Sequence, residues 1–419
     1  MLSGLMMVFS RRGLLGGLVA SGALANAAAT AKSQRPKSAD VVIVGAGVFG
    51  AWIAWTLQKR GANVTLLDAW GPAHSRSSSG GETRLIRTEY GGDALYTRWA
   101  WESLAAWNSL SLRHEIPIFH QTGALYLYPN ESDRNDKSIA LQRGLGVPIE
   151  TIGAAGLARR WPQIDFHGIR FGLLQPTMGV LMARRAVQLL VAEFIGAGGV
   201  FRQAFVQPPR SEGDALRVLS AYGDSFPADH FIFACGAWLP KLFPDVVGSR
   251  IVPIRKDVFF FAPAAGDTRF SPSTMPAWVD AASPDLQYGF PDIESRGFKI
   301  ALDGPGDPVD PDTNDRRVGD DALAGVRAYM RRRFPALADQ PLSEQRVCQY
   351  ENTQTRNFLI DRHPHLSDAW IVGGGSGHGF KHGPAVGRYV ADLLSNQRMP
   401  ERRFTLSAHD PFTPGKAKS

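Results

Sequence analysis

The sequence predicts an α/β protein: a Rossmann-like dinucleotide-binding domain interrupted by an inserted α+β substrate domain on a mostly antiparallel sheet. Two observations lead to this prediction. A glycine-rich strand-turn-helix-strand pattern occupies residues 39–68, which is typical of a βαβ unit. Later segments that suit the same parallel sheet are separated by strand-rich stretches, so a second domain is inserted between them.

The first βαβ unit carries the residues that bind a dinucleotide. Gly45, Gly47 and Gly50 form a G-x-G-x-x-G turn between strand and helix, and Asp68 ends the next strand. The glycines let the backbone approach a pyrophosphate at the helix N-terminus, and the carboxylate accepts hydrogen bonds from a ribose. The pattern therefore predicts a bound dinucleotide; the alternative is a tight turn with a structural role only.

Two later apolar segments extend the parallel sheet. Residues 230–238 and 369–375 read as its third and fourth strands, each followed by a helix, the last near 386–396. The stretches that predict the inserted sheet are 122–128, 251–263 and 288–302.

These assignments give a discontinuous domain organisation. The predicted parts are a signal peptide (1–31), a linker (32–39), a nucleotide-binding domain (40–115, 179–245 and 345–400), a substrate domain (116–178 and 246–344) and a C-terminal tail (401–419).

The positive charge of the chain is concentrated in its first 39 residues. They contain five cations and no acid, so the net charge of +7 falls to +2 for the remainder. A nearly neutral body argues against nucleic-acid binding. The two cysteines in 419 residues exclude a disulfide framework and a multi-cysteine zinc site, and no metal is expected.

The leader resembles a twin-arginine export signal. Arg11 and Arg12 precede an apolar run that is rich in Ala and Gly, with Ala-x-Ala sites at 25–27 and 29–31. We expect a periplasmic or secreted protein without stable membrane insertion after cleavage. The alternative is an uncleaved membrane anchor.

The segment after Asp68 distinguishes between NAD and FAD, which share the glycine motif. It is long, rich in Ser and Gly, and carries Arg76, Arg84 and Arg87. Such a segment suits a chain that runs along a bound diphosphate and then presents arginines to a substrate.

Four stretches identify a family resemblance: residues 41–68, "GGETRLIRTEYG", "RVCQYENT…FLIDRHP" and "GGGSGHGFKHGPAVG". Together they resemble the D-amino-acid-oxidase superfamily, most closely the monomeric sarcosine oxidase branch with its N-methyltryptophan and pipecolate oxidases. The resemblance implies a monomer in which the Rossmann-like domain binds FAD. It also implies oxidation of a secondary or N-alkyl amino acid, with hydride transfer to flavin N5, imine hydrolysis and reduction of O2 to H2O2. The alternatives are a deglycating (fructosyl-amino-acid-type) oxidase, an amine dehydrogenase that uses another acceptor, and a dinucleotide-binding protein without activity.

The resemblance assigns a covalent flavin link to Cys348, two residues before Tyr350. A thiolate is a strong nucleophile, which suits bond formation at the flavin 8α carbon. The alternatives are an inert buried cysteine and a disulfide with Cys235. The resemblance also implies cofactor contacts at Ser78, Thr83, Val206, Gly377, Gly379 and Lys381 in addition to the glycine motif and Asp68.

The resemblance implies that Arg87 and Lys381 bind the substrate carboxylate, since arginine grips a carboxylate with two parallel hydrogen bonds. Lys299 matches a lysine that assists dioxygen by stabilising superoxide charge. Tyr288 and Tyr350 would form walls of the substrate cavity. The alternatives are a surface arginine, lysines in solvent and, for Tyr288, a core aromatic.

Two positions depart from the branch and put sarcosine itself in doubt. Gly80 and Asp303 stand where sarcosine oxidases carry histidines that line the active site. Asp303 either binds a second positive charge on the substrate or caps a turn in "LDGPGDP".

Overall fold

The structure is a computed structural model that describes residues 39–212, 215–304, 306–366 and 368–413. The predicted signal peptide lies outside these residues, as does all of the linker except residue 39, so both stay predictions. No helix within the described ranges is long and apolar enough to cross a membrane.

The described strands, in chain order, are β1 (Ala39–Val44), β2 (Val64–Asp68), β3 (Thr83–Ile86), β4 (Phe119–His120), β5 (Ala124–Tyr128), β6 (Glu150–Gly153), β7 (Phe171–Gln175), β8 (Gly179–Met182), β9 (Val200–Gln203), β10 (Arg210–Glu212), β11 (Ala215–Arg217), β12 (Ala228–Phe233), β13 (Ile251–Phe261), β14 (Ala277–Asp280), β15 (Gln287–Phe290), β16 (Phe298–Leu302), β17 (Leu342–Thr353), β18 (Leu359–Arg362) and β19 (Ala369–Gly373). The described α-helices are α1 (Val48–Lys59), α2 (Ala94–His114), α3 (Asp133–Gly144), α4 (Ala154–Arg160), α5 (Ala183–Gly196), α6 (Leu239–Leu242), α7 (Pro244–Val247), α8 (Asp320–Arg333) and α9 (Gly383–Leu394).

The nucleotide-binding sheet has the order β18-β19-β12-β1-β2-β9. All neighbours in it are parallel except β18 and β19, which are antiparallel. The predicted first, second, third and fourth parallel strands are therefore confirmed as β1, β2, β12 and β19. The prediction lacked β9, a short edge strand whose "VFRQ" sequence has no continuous apolar run.

Helix α1 is buried between the sheet and its neighbouring helices, which explains its almost wholly apolar sequence. Two glycines of α9 allow close packing: a Cβ at Gly383 would lie 2.4 Å from Trp52 Cδ1, and one at Gly387 would lie 2.7 Å from the Trp52 carbonyl oxygen. Helix α9 begins at residue 383, before the predicted 386, and has a proline in its first turn.

The helix predicted after β12 is split into two four-residue helices, α6 and α7. Each carries a proline in its first turn, at Pro240 and Pro244. Because proline cannot donate a backbone hydrogen bond inside a helix, Pro244 prevents α6 from continuing as one long element.

The larger sheet has the order β17-β13-β16-β15-β14-β5-β7-β6. Six of its pairings are antiparallel, and β14 pairs with β5 in parallel. Strand β17 crosses the predicted domain boundary between residues 344 and 345, and the described residues belong to one compact unit. The division into two domains stays a prediction.

The long β13–β17 ladder prepares the site. It places Cys348 opposite Lys256 and Tyr350 opposite Ile254. Behind the sheet, aromatic side chains that include Trp278, Phe298 and Phe334 pack against α8. This buried layer holds β13, β16 and β17 rigidly, which fixes the side chains that face away from it.

Candidate cofactor and substrate site

The glycine turn after β1 requires residues that have no side chain. Gly45 has a φ of 108°, and a Cβ there would lie 2.5 Å from the Ala234 carbonyl oxygen. A Cβ at Gly50 would lie 1.8 Å from the Gly45 carbonyl oxygen. Gly47 caps the N-terminus of α1, where backbone N–H groups favour a bound anion.

An open cleft extends from this turn. The predicted cofactor residues that line it are Gly45, Gly47, Asp68, Ser78, Val206, Gly377 and Gly379. Gly50, Thr83, Cys348 and Lys381 do not line it, although Cys348 lies beside Arg84, which does. The lining residues include the glycine turn, Asp68 and Gly377, which suits an extended dinucleotide.

Asp68 ends β2 at the edge of the cleft and is tied to the backbone around it. Its Oδ2 accepts a hydrogen bond from Ala46 N at 2.8 Å, and its Oδ1 accepts from Trp70 N and Gly71 N at 2.9 Å each. The carboxylate therefore fixes the glycine turn and faces the ligand region.

Sequence reasoning missed an aromatic group in the same cleft. The rings of Trp70 and Trp238 lie 5.2 Å apart, and Phe205 lies 6.1 Å from Trp70. All three line the cleft and offer flat apolar faces, which suit a nucleobase. Their positions just after β2, β9 and β12 are the signal that could have revealed them.

The two cysteines have different surroundings. Cys348 is partly exposed, and its Sγ lies 3.6 Å from Nη2 of Arg84. Cys235 donates to the Val44 carbonyl oxygen, and burial raises the pKa of its thiol. Both are free thiols, so the alternative of a Cys235–Cys348 disulfide is wrong for this structure.

Arg87 and Lys381 meet at Tyr90. The Arg87 guanidinium lies 4.2 Å from the centre of the Tyr90 ring, and Lys381 Nζ donates to Tyr90 Oη at 3.1 Å. Burial opposes the charge on Arg87, but Tyr126, Tyr90 and nearby carboxylates outweigh it and raise the pKa of Arg87. Two cations side by side provide a site for one carboxylate.

Lys381 is only 4% exposed, so it is not a lysine in solvent. Its Nζ also donates to the His378 carbonyl oxygen at 2.8 Å. Burial, reinforced by Arg87, lowers the pKa of Lys381 well below its ordinary value.

Tyr90 connects Lys381 to two histidines that sequence reasoning missed. Its Oη lies 2.7 Å from His382 Nε2 and 3.3 Å from His378 Nδ1. Burial, followed by the charge of Lys381, lowers the pKa of both histidines well below the ordinary value. Neutral imidazoles therefore surround the lysine. The spacing His378-Lys381-His382 in "GHGFKHG" was the available signal.

Lys299 is likewise buried, at 3% exposure, and does not face solvent. Its Nζ donates to the carbonyl and hydroxyl oxygens of Thr83 at 3.0 and 3.1 Å. Burial and the neighbouring Arg84 lower the pKa of Lys299 well below its ordinary value. Arg84 also contacts Cys348, so the lysine and the cysteine share this corner of the site.

Tyr288 and Tyr350 stand side by side with their hydroxyl oxygens 3.5 Å apart. Burial raises the pKa of Tyr288 to about 12, so its hydroxyl stays neutral at ordinary pH. Tyr350 lines the cofactor cleft, whereas Tyr288 does not. The pair therefore connects the cleft to the region of Asp303, whose charge acts on both hydroxyls.

The two departures have structural explanations. A Cβ at Gly80 would lie 2.0 Å from the His74 carbonyl oxygen, so this backbone has no room for a side chain. At Asp303 the backbone N–H donates to the Leu286 carbonyl, while the carboxylate lies 3.7 Å from Arg356. The charge of Asp303 also acts on Arg87 and Lys381, which places its side chain next to the site.

Glu351 is a further acid that sequence reasoning missed, and its side chain is partly exposed. It lines the cleft next to Tyr350, and Ser78 Oγ donates to its Oε2 at 2.9 Å. Burial raises the pKa of Glu351. The contact joins the serine-rich segment to β17 and thereby closes one side of the cleft.

The sequence was compared with known families and curated proteins. The family described as DAO, FAD dependent oxidoreductase, matches residues 40–393. Monomeric sarcosine oxidase from Bacillus sp. (strain B-0618) is 30% identical over 361 residues, covering 84% of this chain and 91% of that protein. N-methyl-L-tryptophan oxidase from Salmonella arizonae is 30% identical over 363 residues, covering 84% and 94%.

Among solved structures, L-proline dehydrogenase from P. horikoshii superposes with a TM-score of 0.75. The alignment covers 87% of this chain and 95% of that one, with 23% identity. At this identity the likeness concerns the fold, and it agrees with the α/β architecture predicted from the sequence.

Proposed function

This chain belongs to the FAD dependent oxidoreductase family, and on that premise we propose that it oxidises a secondary or N-alkyl amino acid with O2 as acceptor. The observation that carries the proposal is the meeting of Arg87 and Lys381 at Tyr90. Two such cations bind a carboxylate and place the adjoining amine. The names of the sarcosine and N-methyltryptophan relatives agree with such a substrate.

The residues of the cleft fit FAD. The glycine turn leaves the backbone of α1 open to a diphosphate, Asp68 faces the ribose position, and the aromatic group of Trp70 and Trp238 suits adenine. When bound, FAD supplies the electron acceptor for oxidation of the carbon next to the amine nitrogen.

The chain's own side chains bind, orient and shield the substrate. Arg87 and Lys381 hold its carboxylate, while Tyr288 and Tyr350 form an aromatic wall that excludes water. In its protonated form Lys299 would place a positive charge next to Arg84 and Cys348, where it would stabilise superoxide formed from O2.

A covalent link through Cys348 is part of the proposal. Its support is a partly exposed thiol 3.6 Å from the Arg84 guanidinium. The link would form with loss of one hydrogen from sulfur and one from the flavin 8α carbon, and the two electrons would pass to FAD and then to O2. Cys235 is the contrasting thiol: it is likewise partly exposed, but it donates to the Val44 carbonyl oxygen, and desolvation and the charge of Asp68 oppose its ionisation.

We expect acid-precipitated wild-type protein to remain yellow. Cys348→Ser should release the flavin into the supernatant, because a serine hydroxyl is a far weaker nucleophile, and Cys235→Ser should retain it. The measurement is flavin absorbance in pellet and supernatant. Equal retention in both variants would remove the assignment.

The lowered pKa of Lys381 predicts a pH dependence of carboxylate binding. An anion beside the lysine raises its pKa, so above the free-state pKa each binding event takes up a proton. The affinity for butyrate should be constant below that pKa and fall as pH rises through it.

The measurement is the dissociation constant of butyrate across pH, read from the flavin absorbance change. Lys381→Arg keeps its charge at every pH and should lose the dependence. A dependence that persists in Lys381→Arg would show that another group titrates.

Export by the twin-arginine route is proposed from the leader alone. Replacing both Arg11 and Arg12 by Lys should leave the precursor in the cytoplasm, because the route reads the paired arginines. Cell fractionation measures the outcome, and normal export of the double variant would contradict the proposal.

The second candidate is an amine dehydrogenase, which the likeness in fold to L-proline dehydrogenase suggests. It differs from an oxidase only in the final acceptor. Peroxide formation in air without an added carrier separates the two, and a glycated amino acid in the same assay tests the deglycating alternative.

A further inference from the structure

Two further cations, Lys256 and Arg356, form a second pair. The first pair, Arg87 and Lys381, is the proposed carboxylate clamp. Lys256, on β13, is 5% exposed; its Nζ donates to the Gly304 carbonyl and lies 5.5 Å from the centre of the Tyr350 ring. Arg356 follows β17 and donates to the Ser376 carbonyl oxygen at 3.2 Å. Neither residue was singled out from the sequence.

Asp303 joins this pair to the clamp. Its carboxylate lies 3.7 Å from Arg356 Nη2. Its charge also acts on Lys256, on Arg87 and on Lys381. Asp303 therefore interacts with both cation pairs. Its side chain and that of Arg356 are partly exposed, at 21% and 36%.

The region has more positive than negative charge. Against the four cations stand Asp303 and, beside Arg87, the buried Glu89. Of the other acids near Lys256, Asp257 lies 3.0 Å from Arg255, and Asp285 is exposed.

With both lysines protonated, four cations and two carboxylates leave a net charge of +2. Excess positive charge around a buried side chain such as Lys381 is costly. A monocarboxylate with a neutral amine leaves one positive charge uncompensated, whereas a dicarboxylate balances both.

We propose that the substrate is an N-alkyl amino dicarboxylic acid whose side-chain carboxylate binds Lys256 and Arg356 while its α-carboxylate binds Arg87 and Lys381. This rests on the proposed amino-acid oxidase function. Asp303 then acts as a counter-ion that holds Arg356 in position. A cationic substrate group would face Arg356 and Lys256 and be repelled, so Asp303 does not bind a second positive charge.

The first test measures binding without turnover. Glutarate and its monoamide, glutaramate, have nearly the same shape but differ by one charge. Both should occupy the position of the amino-acid substrate. We expect glutarate to bind the oxidised holoenzyme at least about tenfold more tightly in a flavin absorbance titration, which is the effect of one modest charge-assisted contact. Equal affinities would overturn the inference.

Variants locate the second carboxylate. Arg356→Gln and Lys256→Met should each bring the ratio of the two affinities towards one. Arg362→Gln is the matched control, because its guanidinium lies 4.8 Å from the Trp370 ring and outside the site. Since Lys256 is buried, the thermal midpoint of its variant is measured first; Arg356→Gln decides alone if Lys256→Met does not fold. A ratio unchanged in Arg356→Gln would overturn the assignment.

The turnover arm separates this inference from the function on which it rests. The kcat/KM for N-methylglutamate should exceed that for N-methylglutamine at least about tenfold, with N-methyl-lysine the poorest. Oxidation of N-methylglutamine as fast as N-methylglutamate would overturn the dicarboxylate inference and leave the oxidase function standing. If no N-alkyl amino acid is oxidised, the proposed function fails, and the glutarate titration still decides the binding site.

Discussion

Lys299→Met is expected to slow the reaction of the reduced enzyme with air by at least about 100-fold, the scale of losing one electrostatic group from a transition state. The electron passed to O2 creates superoxide, and a buried ammonium stabilises that charge where little water is present. Lys299 is 3% exposed and donates to Thr83. Little water can therefore reach this position to stabilise superoxide when the lysine is removed. Anaerobic reduction by the amine should keep most of its rate.

Stopped-flow absorbance of the two half-reactions measures this effect. Because burial and Arg84 lower the pKa of Lys299, wild-type oxidation by air should slow as pH rises through that pKa, and the variant should lack this dependence. The exposed Lys59→Met is the control. An unchanged rate with air in Lys299→Met would assign O2 activation elsewhere and strengthen the dehydrogenase candidate.

Arg87→Ala should reduce kcat/KM by roughly 30- to 150-fold, which corresponds to about 2–3 kcal/mol for one charge-assisted partner. The guanidinium lies over Tyr90 beside Lys381, so its loss leaves one cation for the carboxylate. The effect should be much smaller for an amine without a carboxylate. Equal slowing of both substrates would make Arg87 a structural residue.

The nucleotide-binding half could be predicted because its signals are local. The glycine motif, the apolar strand β1 and Asp68 lie within 30 residues, and each implies the next. Short strands such as β3, β4 and β8 escaped prediction because they are stabilised by pairing with one another across the chain, which no local pattern encodes.

In the candidate site, too, residues with a local sequence signal could be predicted and residues brought together by the fold could not. The resemblance indicated Arg87, Lys299 and Lys381, but not Tyr90, which contacts Lys381 across 291 positions of the chain. Lys256 became visible only through its register opposite Cys348 in the β13–β17 ladder. Sequence reasoning therefore recovered residues that stand in recognisable motifs and missed partners brought together by the sheet.

The central claim is that this chain couples oxidation of an N-alkyl amino acid to reduction of O2. The most direct measurement mixes the holoenzyme with N-methyl amino acids, first without air and then with it, and follows flavin absorbance and peroxide. The account predicts bleaching without air, recovery of the absorbance on admission of air, and one H2O2 for each amine oxidised. Absence of bleaching with every N-alkyl amino acid, or bleaching that air does not reverse, would contradict it.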